Sequence, residues 1–265
     1  MSADSGRLRR RFSTGLSELS RVEALVLSRS SVAQSPALPL PRPLPYQRLT
    51  LPDTMQQYYR ARATEYDLFY QAPERLSELT LLQAWLIERT RGLNILEVAA
   101  GTGYWTEIAA PFARAITATD LNAETLEIAA TRRLGQHVSL GTADAYSLPH
   151  STTIFDVGMA HLWWSHVKRQ KRKSFLSHFA SRLRPAATLL MIDQFYVDGF
   201  TSPISREDRW GNQYTIRKLK DGRTYEIIKN FPRPGEPEET LNEICTNISV
   251  LRLQHFWALS AQIRD

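Results

Sequence analysis

Three acidic residues stand at the ends of three successive apolar segments in the middle of the chain. Glu97 lies at the end of the run LNILEV, Asp120 ends AITATD, and Asp144 follows VSLGTA. An acid about 20 residues beyond a small-residue turn can accept both hydroxyl groups of a ribose. Asp144, with Ala143 and Ala145 on either side, suits the exocyclic amine of an adenine. The spacing therefore predicts a site for an adenosine-containing cofactor.

A turn of small residues links the first of these segments to a predicted helix in the stretch ILEVAAGTGYWTEIA. Gly101 and Gly103 have no Cβ, so the backbone can approach a ligand closely. The helix begins near Tyr104, where free amides and the positive end of the helix dipole favour an anionic or polar group. Such a turn suits a dinucleotide or an adenosyl compound. Tyr-Trp-Thr follows Gly103, whereas a nicotinamide site would have Gly-x-Gly-x-x-Gly.

Each acid also has a purely structural interpretation. Glu97 can be an ordinary acid at a strand end, Asp120 can cap a helix, and Asp144 can form an Asx turn. All three fall at matching strand ends beside a Gly-x-Gly turn, and this coincidence favours a shared binding site.

The elements that must position these residues alternate between strand and helix. Strands are predicted at 93–99, 115–120, 138–144, 154–161 and 187–195, and helices at 106–113, 123–134 and 171–184. This alternation predicts a parallel sheet covered by helices on both faces.

The flanking segments have a different pattern. Helical spacing with many aromatic residues occupies 54–70, and an amphipathic helix is predicted over 73–90 with Leu76, Leu79, Leu82, Trp85 and Leu86 near one face. The Asp-Gly pair at 221–222 predicts an inserted β-hairpin over 212–231. A short helix containing Cys245 is expected over 237–245, and two antiparallel strands over 247–262.

Residues 1–52 form a separate compositional segment that we expect to be a flexible extension. Residues 1–50 contain eight arginines against three acids, so they carry +5 of the net charge of +6. Six prolines between 36 and 52 disfavour regular structure. An organellar targeting segment or a start codon assigned too early remains an alternative. The rest of the chain, 53–265, is predicted to be one domain, with 53–90 as a helical cap.

The segment EVAAGTG resembles the glycine-rich first motif of class I S-adenosylmethionine-dependent methyltransferases. Asp120 and Asp144 match that family's ribose- and adenine-binding acids, and FDVGMAH matches its fourth motif. RLRPAATLLMID resembles its entry to the fifth strand, with Ala186 and Ala187 in place of glycines. The resemblance covers roughly 55–262. It implies a Rossmann-like, mostly parallel seven-stranded sheet with an antiparallel last strand, and S-adenosylmethionine as the cofactor.

The resemblance also implies roles for individual residues. Glu97 would lie near the methionine amine, and Gly101 and Gly103 would pass the methionine and the ribose. Ala99 replaces the first glycine of the usual motif, Tyr104 borders the cofactor, and the helix with Tyr59 and Tyr66 caps it. We assign to the cofactor site the residues Tyr59, Tyr66, Glu97, Ala99, Gly101, Gly103, Tyr104, Asp120, Leu121, Asp144, Ala145 and His161.

Two histidines that follow the fourth predicted strand are the candidates for a general base, because imidazole titrates near neutral pH. The stretch around His166 resembles a bacterial small-molecule subgroup that has FWLSHVP at this place, which favours His166 over His161. The alternative is that His166 caps or packs beneath the following helix. A base is needed only if the acceptor must lose a proton.

We expect a methyl transfer to a small molecule. We expect no metal at the site, because Asp193 alone cannot form a metal site. The fourth segment ends in Ala-His-Leu-Trp and lacks the Asn/Asp-Pro-Pro-Tyr/Phe pattern of enzymes that methylate amino groups of nucleic-acid bases. An RNA or protein methyltransferase and a non-catalytic cofactor-binding regulator are the alternatives. The single cysteine favours a cytoplasmic location. The absence of long apolar runs argues against a membrane, and a homodimer is compatible with the sequence.

Overall fold

The computed structural model describes residues 54–264. The predicted extension over 1–52 and its boundary with the following domain lie outside the described residues and stay predictions. Within 54–264, no helix is both long enough and apolar enough to cross a bilayer.

Seven strands form one sheet, namely β1 (Asn94–Val98), β2 (Ala115–Asp120), β3 (Val138–Thr142), β4 (Val157–His161), β5 (Thr188–Gln194), β9 (Cys245–Arg252) and β10 (Phe256–Ile263). Their order across the sheet is β3-β2-β1-β4-β5-β10-β9. Strands β1 to β5 are mutually parallel, and β10 lies antiparallel to both of its neighbours. The chain leaves β1 toward β2 and β3, then returns to place β4 on its other side, so the sheet has a switch point between β1 and β4. The predicted Rossmann-like fold with an antiparallel last strand is confirmed.

The continuous apolar runs in the central strands form two hydrophobic cores because successive side chains point to opposite faces. In β5, Leu189 and Met191 pack into one core, while Leu190 and Ile192 pack into the other. Both faces are therefore buried, as the sequence predicted for a parallel sheet.

Helices cover both faces. Helix α2 (Leu76–Thr90) and helix α3 (Tyr104–Ala109) pack on one face, and helix α5 (Arg172–Ala180) packs on the other. Helix α4 (Ala123–Ala130) follows β2. All four helices are shorter than predicted. In particular, α3 ends before Pro111, whose ring and missing N–H disfavour helix continuation.

Two expectations about single residues were wrong. Leu76 is half exposed, whereas Leu79, Leu82 and Leu86 are buried, because Leu76 starts α2 one turn before the helix reaches the core. Helix α6 spans only Glu236–Leu241, and Cys245 is the first residue of strand β9, where it packs in the core.

The N-terminal cap consists of helix α1 (Thr54–Arg62), a 3-10 segment (Ala63–Gln71) and a 3-10 turn (Pro73–Arg75). Polar contacts tie this cap to the sheet. Asp67 accepts a hydrogen bond from the Thr102 hydroxyl at 2.5 Å and forms an ion pair with Arg132. The cap is thus held beside the turn after β1.

The predicted hairpin is present as β7 (Gln213–Lys218) and β8 (Thr224–Ile228). Gly222 adopts a φ of +90°, which only glycine takes without strain. A third strand, β6 (Ile204–Glu207), pairs with β7 and was not predicted, because its side chains are all exposed and carry no apolar pattern. Tyr58 of α1 packs against Leu219 and Ile227, so the cap and this small sheet share a core.

Candidate functional site

A cavity of about 230 Å³ lies at the carboxyl ends of β1 to β4, and we call it the strand-end cavity. Four neighbouring strands contribute to it, together with α1 and the 3-10 segment of the cap. Ten of the residues predicted to form the site line it: Tyr59, Tyr66, Ala99, Gly101, Asp120, Leu121, Asp144, Ala145, His161 and His166. The sheet therefore brings most of the predicted site together.

Asp120 is buried at the end of β2 and braces the turn after β1. Its carboxylate accepts hydrogen bonds from the backbone N–H of Gly101 at 2.9 Å and of Asn122 at 2.8 Å. Burial raises the pKa of Asp120, and these backbone donors oppose the rise. The Asn122 contact is a local turn. The cap position of α4 is held by Asn122 and not by Asp120, so the helix-capping role considered for Asp120 is not what the structure shows.

Asp144 is exposed at the mouth of the strand-end cavity, just beyond β3. Its Oδ1 accepts a hydrogen bond from the backbone N–H of Tyr146 at 2.9 Å. This contact is the Asx turn that the sequence allowed. It fixes the carboxylate at the cavity, which Ala143 and Ala145 also line.

Glu97 lies beneath the turn and is 1% exposed. The Thr106 hydroxyl donates a hydrogen bond of 2.6 Å to its Oε2. Burial raises the pKa of Glu97 to about 8. The carboxyl group is therefore largely protonated at neutral pH in the ligand-free protein, and a nearby ammonium group would favour its ionised form.

Glu97, Gly103 and Tyr104 do not line the strand-end cavity. A Cβ at Gly103 would lie 2.9 Å from the Cβ of Ala129, so a glycine is needed here for packing of the turn on α4. The Tyr104 ring stacks on Tyr70, with 3.5 Å between ring centroids, and its hydroxyl accepts a hydrogen bond from Gln83. By contrast, a Cβ at Gly101 would meet nothing within 4 Å.

Two residues of the cavity have a left-handed backbone that costs L-amino acids free energy. Ala99 has a φ of +52° and Leu162 a φ of +53°. This conformation costs a non-glycine residue roughly 1–2 kcal/mol. Ala99 stands where the resemblance expects a glycine, and Ala186, at a second such place, has a φ of +56°. Both alanines therefore adopt the positive φ that glycine takes most readily.

His161 ends β4, and its ring lies 5.4 Å from that of Trp105 between centroids. Neither ring nitrogen has a hydrogen-bond partner among the described residues. Burial lowers the pKa of His161 to about 3, so the ring is neutral. Nothing in the described part of the chain orients it as a base.

His166 has a defined orientation instead. Its Nδ1 donates to the carbonyl oxygen of Ile228 at 2.6 Å, since a carbonyl only accepts. Its Nε2 therefore carries the lone pair and accepts a hydrogen bond of 2.7 Å from the Tyr59 hydroxyl. Burial, with Lys229 nearby, lowers the pKa of His166 to about 3, and burial raises that of Tyr59 well above its usual value. The pair is thus a neutral imidazole and a protonated phenol.

Asp193, at the end of β5, is engaged by protein groups. Its carboxylate accepts hydrogen bonds from the backbone and side chain of Ser165 and forms a buried ion pair with Lys229 at 3.2 Å. In residues 54–264, no group of three or more His, Cys, Asp or Glu side chains has the arrangement of a metal site. The expectation of a metal-independent reaction stays a prediction.

Several residues of the cavity were not singled out from the sequence. Gln56, Asn122, Thr125 and Leu162 line it as well. The positions of Asn122 and Thr125 at the start of α4 had a signal, because this helix begins directly after Asp120. Gln56 and Leu162 had none, since neither side chain belongs to a motif.

Comparisons with known proteins agree with this geometry. Residues 95–186 match the sequence profile of a family described as a methyltransferase domain. No curated protein matches the chain.

Solved structures extend the similarity beyond that segment. A structure of DhpI in complex with SAH is 26% identical, has a TM-score of 0.66, and is matched over 80% of this chain and 96% of its own. A complex of DhpI with SAM and HEP is 25% identical, with a TM-score of 0.65 over 78% and 95% of the two chains. The PH0226 protein of Pyrococcus horikoshii shares the fold, with a TM-score of 0.60 at 14% identity over 78% and 99%.

The switch point between β1 and β4, the acids at the ends of β2 and β3, and the matched domain lead to one assignment. Residues 95–186 form a methyltransferase domain, and the described residues have the Rossmann-like fold of class I S-adenosylmethionine-dependent methyltransferases.

Proposed function

We propose that the chain transfers the methyl group of S-adenosylmethionine to a small molecule by in-line displacement. The acceptor atom attacks the methyl carbon, the carbon–sulfur bond breaks, and S-adenosylhomocysteine leaves with the electron pair. The observation that carries this proposal is the convergence of four strand ends on one cavity, with Asp120 and Asp144 side by side at the ends of neighbouring strands.

We assign the adenosine to the β2–β3 side of the strand-end cavity. Asp120 would accept the ribose hydroxyls, with Leu121 beside the adenine, and Asp144 and Ala145 would receive the exocyclic amine. Gly101 supports this assignment because it leaves open space where a side chain would stand. Ala99 continues the same wall.

We assign the methionine part to the β1–β4 side. Glu97 would take the amine through its ionised form, below the turn that Gly103 and Tyr104 stabilise. His161 supports this placement, because a buried ring with two unpaired nitrogens can satisfy one of them on a bound ligand. Tyr59 and Tyr66 would cover the cofactor from the cap and exclude water from the sulfonium.

We assign the general base to His166, acting through Tyr59. The Ile228 carbonyl fixes the tautomer that presents the Nε2 lone pair to the Tyr59 hydroxyl. An acceptor hydroxyl would pass its proton to the Tyr59 oxygen while the Tyr59 proton moves to Nε2. The acceptor oxygen then attacks the methyl group, and His166 holds the proton until it is released.

The small-molecule acceptor and the FWLSHVP-type subgroup belong to this proposal, as does a cytoplasmic location. The support for a small acceptor is that the candidate base lies between the sheet and the cap, where His166 is only 5% exposed. A base on a large acceptor's docking surface would be more accessible.

Calorimetric titration tests the cofactor assignment. We expect micromolar-range binding of S-adenosylmethionine and S-adenosylhomocysteine, and none of NAD. A variant that removes a carboxylate far from the cavity, Asp156→Asn, should bind S-adenosylmethionine as the parent does. Asp156 contacts Arg184 and Asn94 at the opposite end of the sheet. Binding of NAD without binding of S-adenosylmethionine would overturn the proposal.

A further inference from the structure

A second cavity, of about 260 Å³, adjoins the strand-end cavity, and four cationic side chains line it. We call it the cationic cleft and define it by Arg62, Arg75, Arg217 and Lys229. Its cations come from four separate places: the end of α1, the 3-10 turn before α2, strand β7, and the residue after β8. The cap and the small sheet thus meet around a concentration of positive charge.

Three of the four charges have no carboxylate partner in the described part of the chain. Arg62 donates to the Tyr58 hydroxyl at 2.8 Å, Arg75 to the Phe69 carbonyl at 3.3 Å, and Arg217 to the Ser202 hydroxyl. All three are partly buried. Only Lys229 has an ion pair, with Asp193. Partly buried cations without counter-charges repel each other and are stabilised by an anion.

The pKa values of two of the four cations, Arg75 and Lys229, are lowered in agreement with this excess of charge. Burial lowers the pKa of Arg75, and Arg217 and Arg62 lower it further, against the opposite effect of Glu74. Burial also lowers the pKa of Lys229, where Asp193 opposes the shift and Arg217 adds to it. Arg75 and Lys229 are therefore more difficult to keep charged because other cations are near. Arg62 differs: burial lowers its pKa, but the neighbouring tyrosines Tyr58, Tyr66 and Tyr59 raise it by more.

The two cavities share four lining residues, namely Tyr59, Tyr66, Leu162 and His166. The candidate base and its tyrosine thus stand at the junction between them. A small molecule whose charged end lies in the cationic cleft can present another of its atoms at this junction, beside the place assigned to the sulfonium methyl group.

We propose that the methyl acceptor carries an oxyanion, either a carboxylate or a phosphoryl group, and that this group binds in the cationic cleft. The inference rests on the proposed function, because it names the substrate class of the same site. Arginine suits this role, since its planar fork of N–H donors matches the geometry of such oxyanions.

Oxyanion binding also has a consequence for catalysis. Burial is the main cause of the low pKa of His166 in the ligand-free protein; the positive charge of Lys229 and Arg217 lowers it further, while Asp193 and the hydrogen bond to Ile228 oppose this effect. A bound oxyanion offsets that charge, so His166 becomes a stronger base only when an acceptor is present. The basicity of His166 is then highest in the complex with the acceptor.

The test is calorimetric titration of the full chain, saturated with S-adenosylhomocysteine, with two probes: inorganic phosphate and malonate. We expect at least one probe to bind, and the stronger one identifies the phosphoryl or the carboxylate source. Arg217→Gln should weaken binding about tenfold or more, the scale for losing a charged hydrogen-bond partner. Arg62→Gln provides a second removal of charge from another element, in case one variant folds poorly.

The matched control is Arg133→Gln, because Arg133 is exposed and lines neither cavity. This variant should bind both probes as the parent does, and all variants should keep their affinity for S-adenosylhomocysteine. The proposal is overturned if neither probe binds, or if Arg217→Gln and Arg62→Gln bind the probes as well as the parent does. A single-stranded RNA oligonucleotide is titrated in parallel. Binding of this RNA alone, in a way that depends on Arg217, would also overturn the proposal. If the parent protein does not bind S-adenosylhomocysteine at all, the proposed function is refuted instead.

Discussion

The strand-end cavity and the cationic cleft share a wall, but they are built in different ways. The strand-end cavity is formed by residues at the ends of consecutive strands, so their sequence spacing is set by the βαβ repeat. The cationic cleft is formed by arginines and a lysine from elements far apart in the sequence, and no spacing rule joins them. The strand-end cavity therefore suits a cofactor that many proteins share. The cationic cleft suits an acceptor that is particular to this chain.

The largest effect should come from the junction of the two cavities. His166→Ala should lower turnover about 10²–10⁴-fold, the usual contribution of a general base. Tyr59→Phe should also lower turnover, because it removes the hydroxyl that relays the proton. Turnover can be measured once an oxyanion-bearing acceptor has been identified by mass spectrometry of methylated products.

Affinity for S-adenosylhomocysteine should barely change in His166→Ala, because Asp120 and Asp144 remain. A purely structural His166 would give a lower melting temperature instead, with most of the turnover per folded molecule retained.

The second effect concerns the buried ion pair on the cleft side. Lys229→Met should lower the free energy of unfolding by about 3–5 kcal/mol, because Asp193 is left buried without a counter-charge. Denaturant unfolding measures this change. The double variant with Asp193→Leu should recover part of the loss, whereas equal stability of the single variant and the parent would show that the pair is not buried in solution.

The third effect lies in the strand-end cavity alone. Asp120→Ala should weaken binding of S-adenosylhomocysteine by about 1–3 kcal/mol, the scale for removing a charged hydrogen-bond partner. Part of that loss would come from the Gly101 amide, which Asp120 holds in place. Calorimetry of the folded variant measures it, with phosphate binding as the internal control. An unchanged dissociation constant would remove Asp120 from the site.

A smaller effect is a pH dependence of cofactor binding. The pKa of Glu97 is about 8 in the ligand-free protein, and an ammonium partner lowers it in the complex. Binding must then release a proton below pH 8, so affinity should fall as pH decreases from 8 to 6, by at most about tenfold per unit.

Above pH 8 the amine of the cofactor itself loses its charge, which sets an optimum near that pH. Calorimetry at several pH values measures the profile. Glu97→Gln should flatten the acidic side, and an unaltered slope in that variant would assign the proton to another group.

The strand-end cavity could largely be predicted from the sequence, whereas the cationic cleft could not. The sheet, its antiparallel last strand and most of the strand-end cavity followed from periodicity and from the acids at the strand ends. The roles of two residues needed tertiary information. Gly103 is required by packing against Ala129, and the Tyr59 contact with His166 joins residues 107 positions apart.

Sequence analysis missed the end of α3 and the cationic cleft for two different reasons. The termination of α3 before Pro111 was visible in the sequence, yet the apolar pattern continued past it. Arg62 and Arg217 look like ordinary surface cations in the sequence, and only the packing of α1 on the small sheet brings them together.

The smallest expected effect concerns backbone strain in the glycine-like turn. Ala99→Gly should raise the free energy of unfolding by up to about 1 kcal/mol, because it removes the cost of a positive φ but adds chain entropy to the unfolded state. Ala186→Gly is the matched control, since its φ is also positive and it lies outside both cavities. Thermal unfolding measures both, and a clear loss of stability in both would contradict the strain argument.

A crystal structure with bound S-adenosylhomocysteine tests the central claim most directly. We expect the ribose hydroxyls on Asp120, the adenine between Leu121 and Ala145, and the sulfur atom facing the junction formed by Tyr59, Leu162 and His166. An adenine ring in the cationic cleft, or a sulfur atom directed away from that junction, would contradict it.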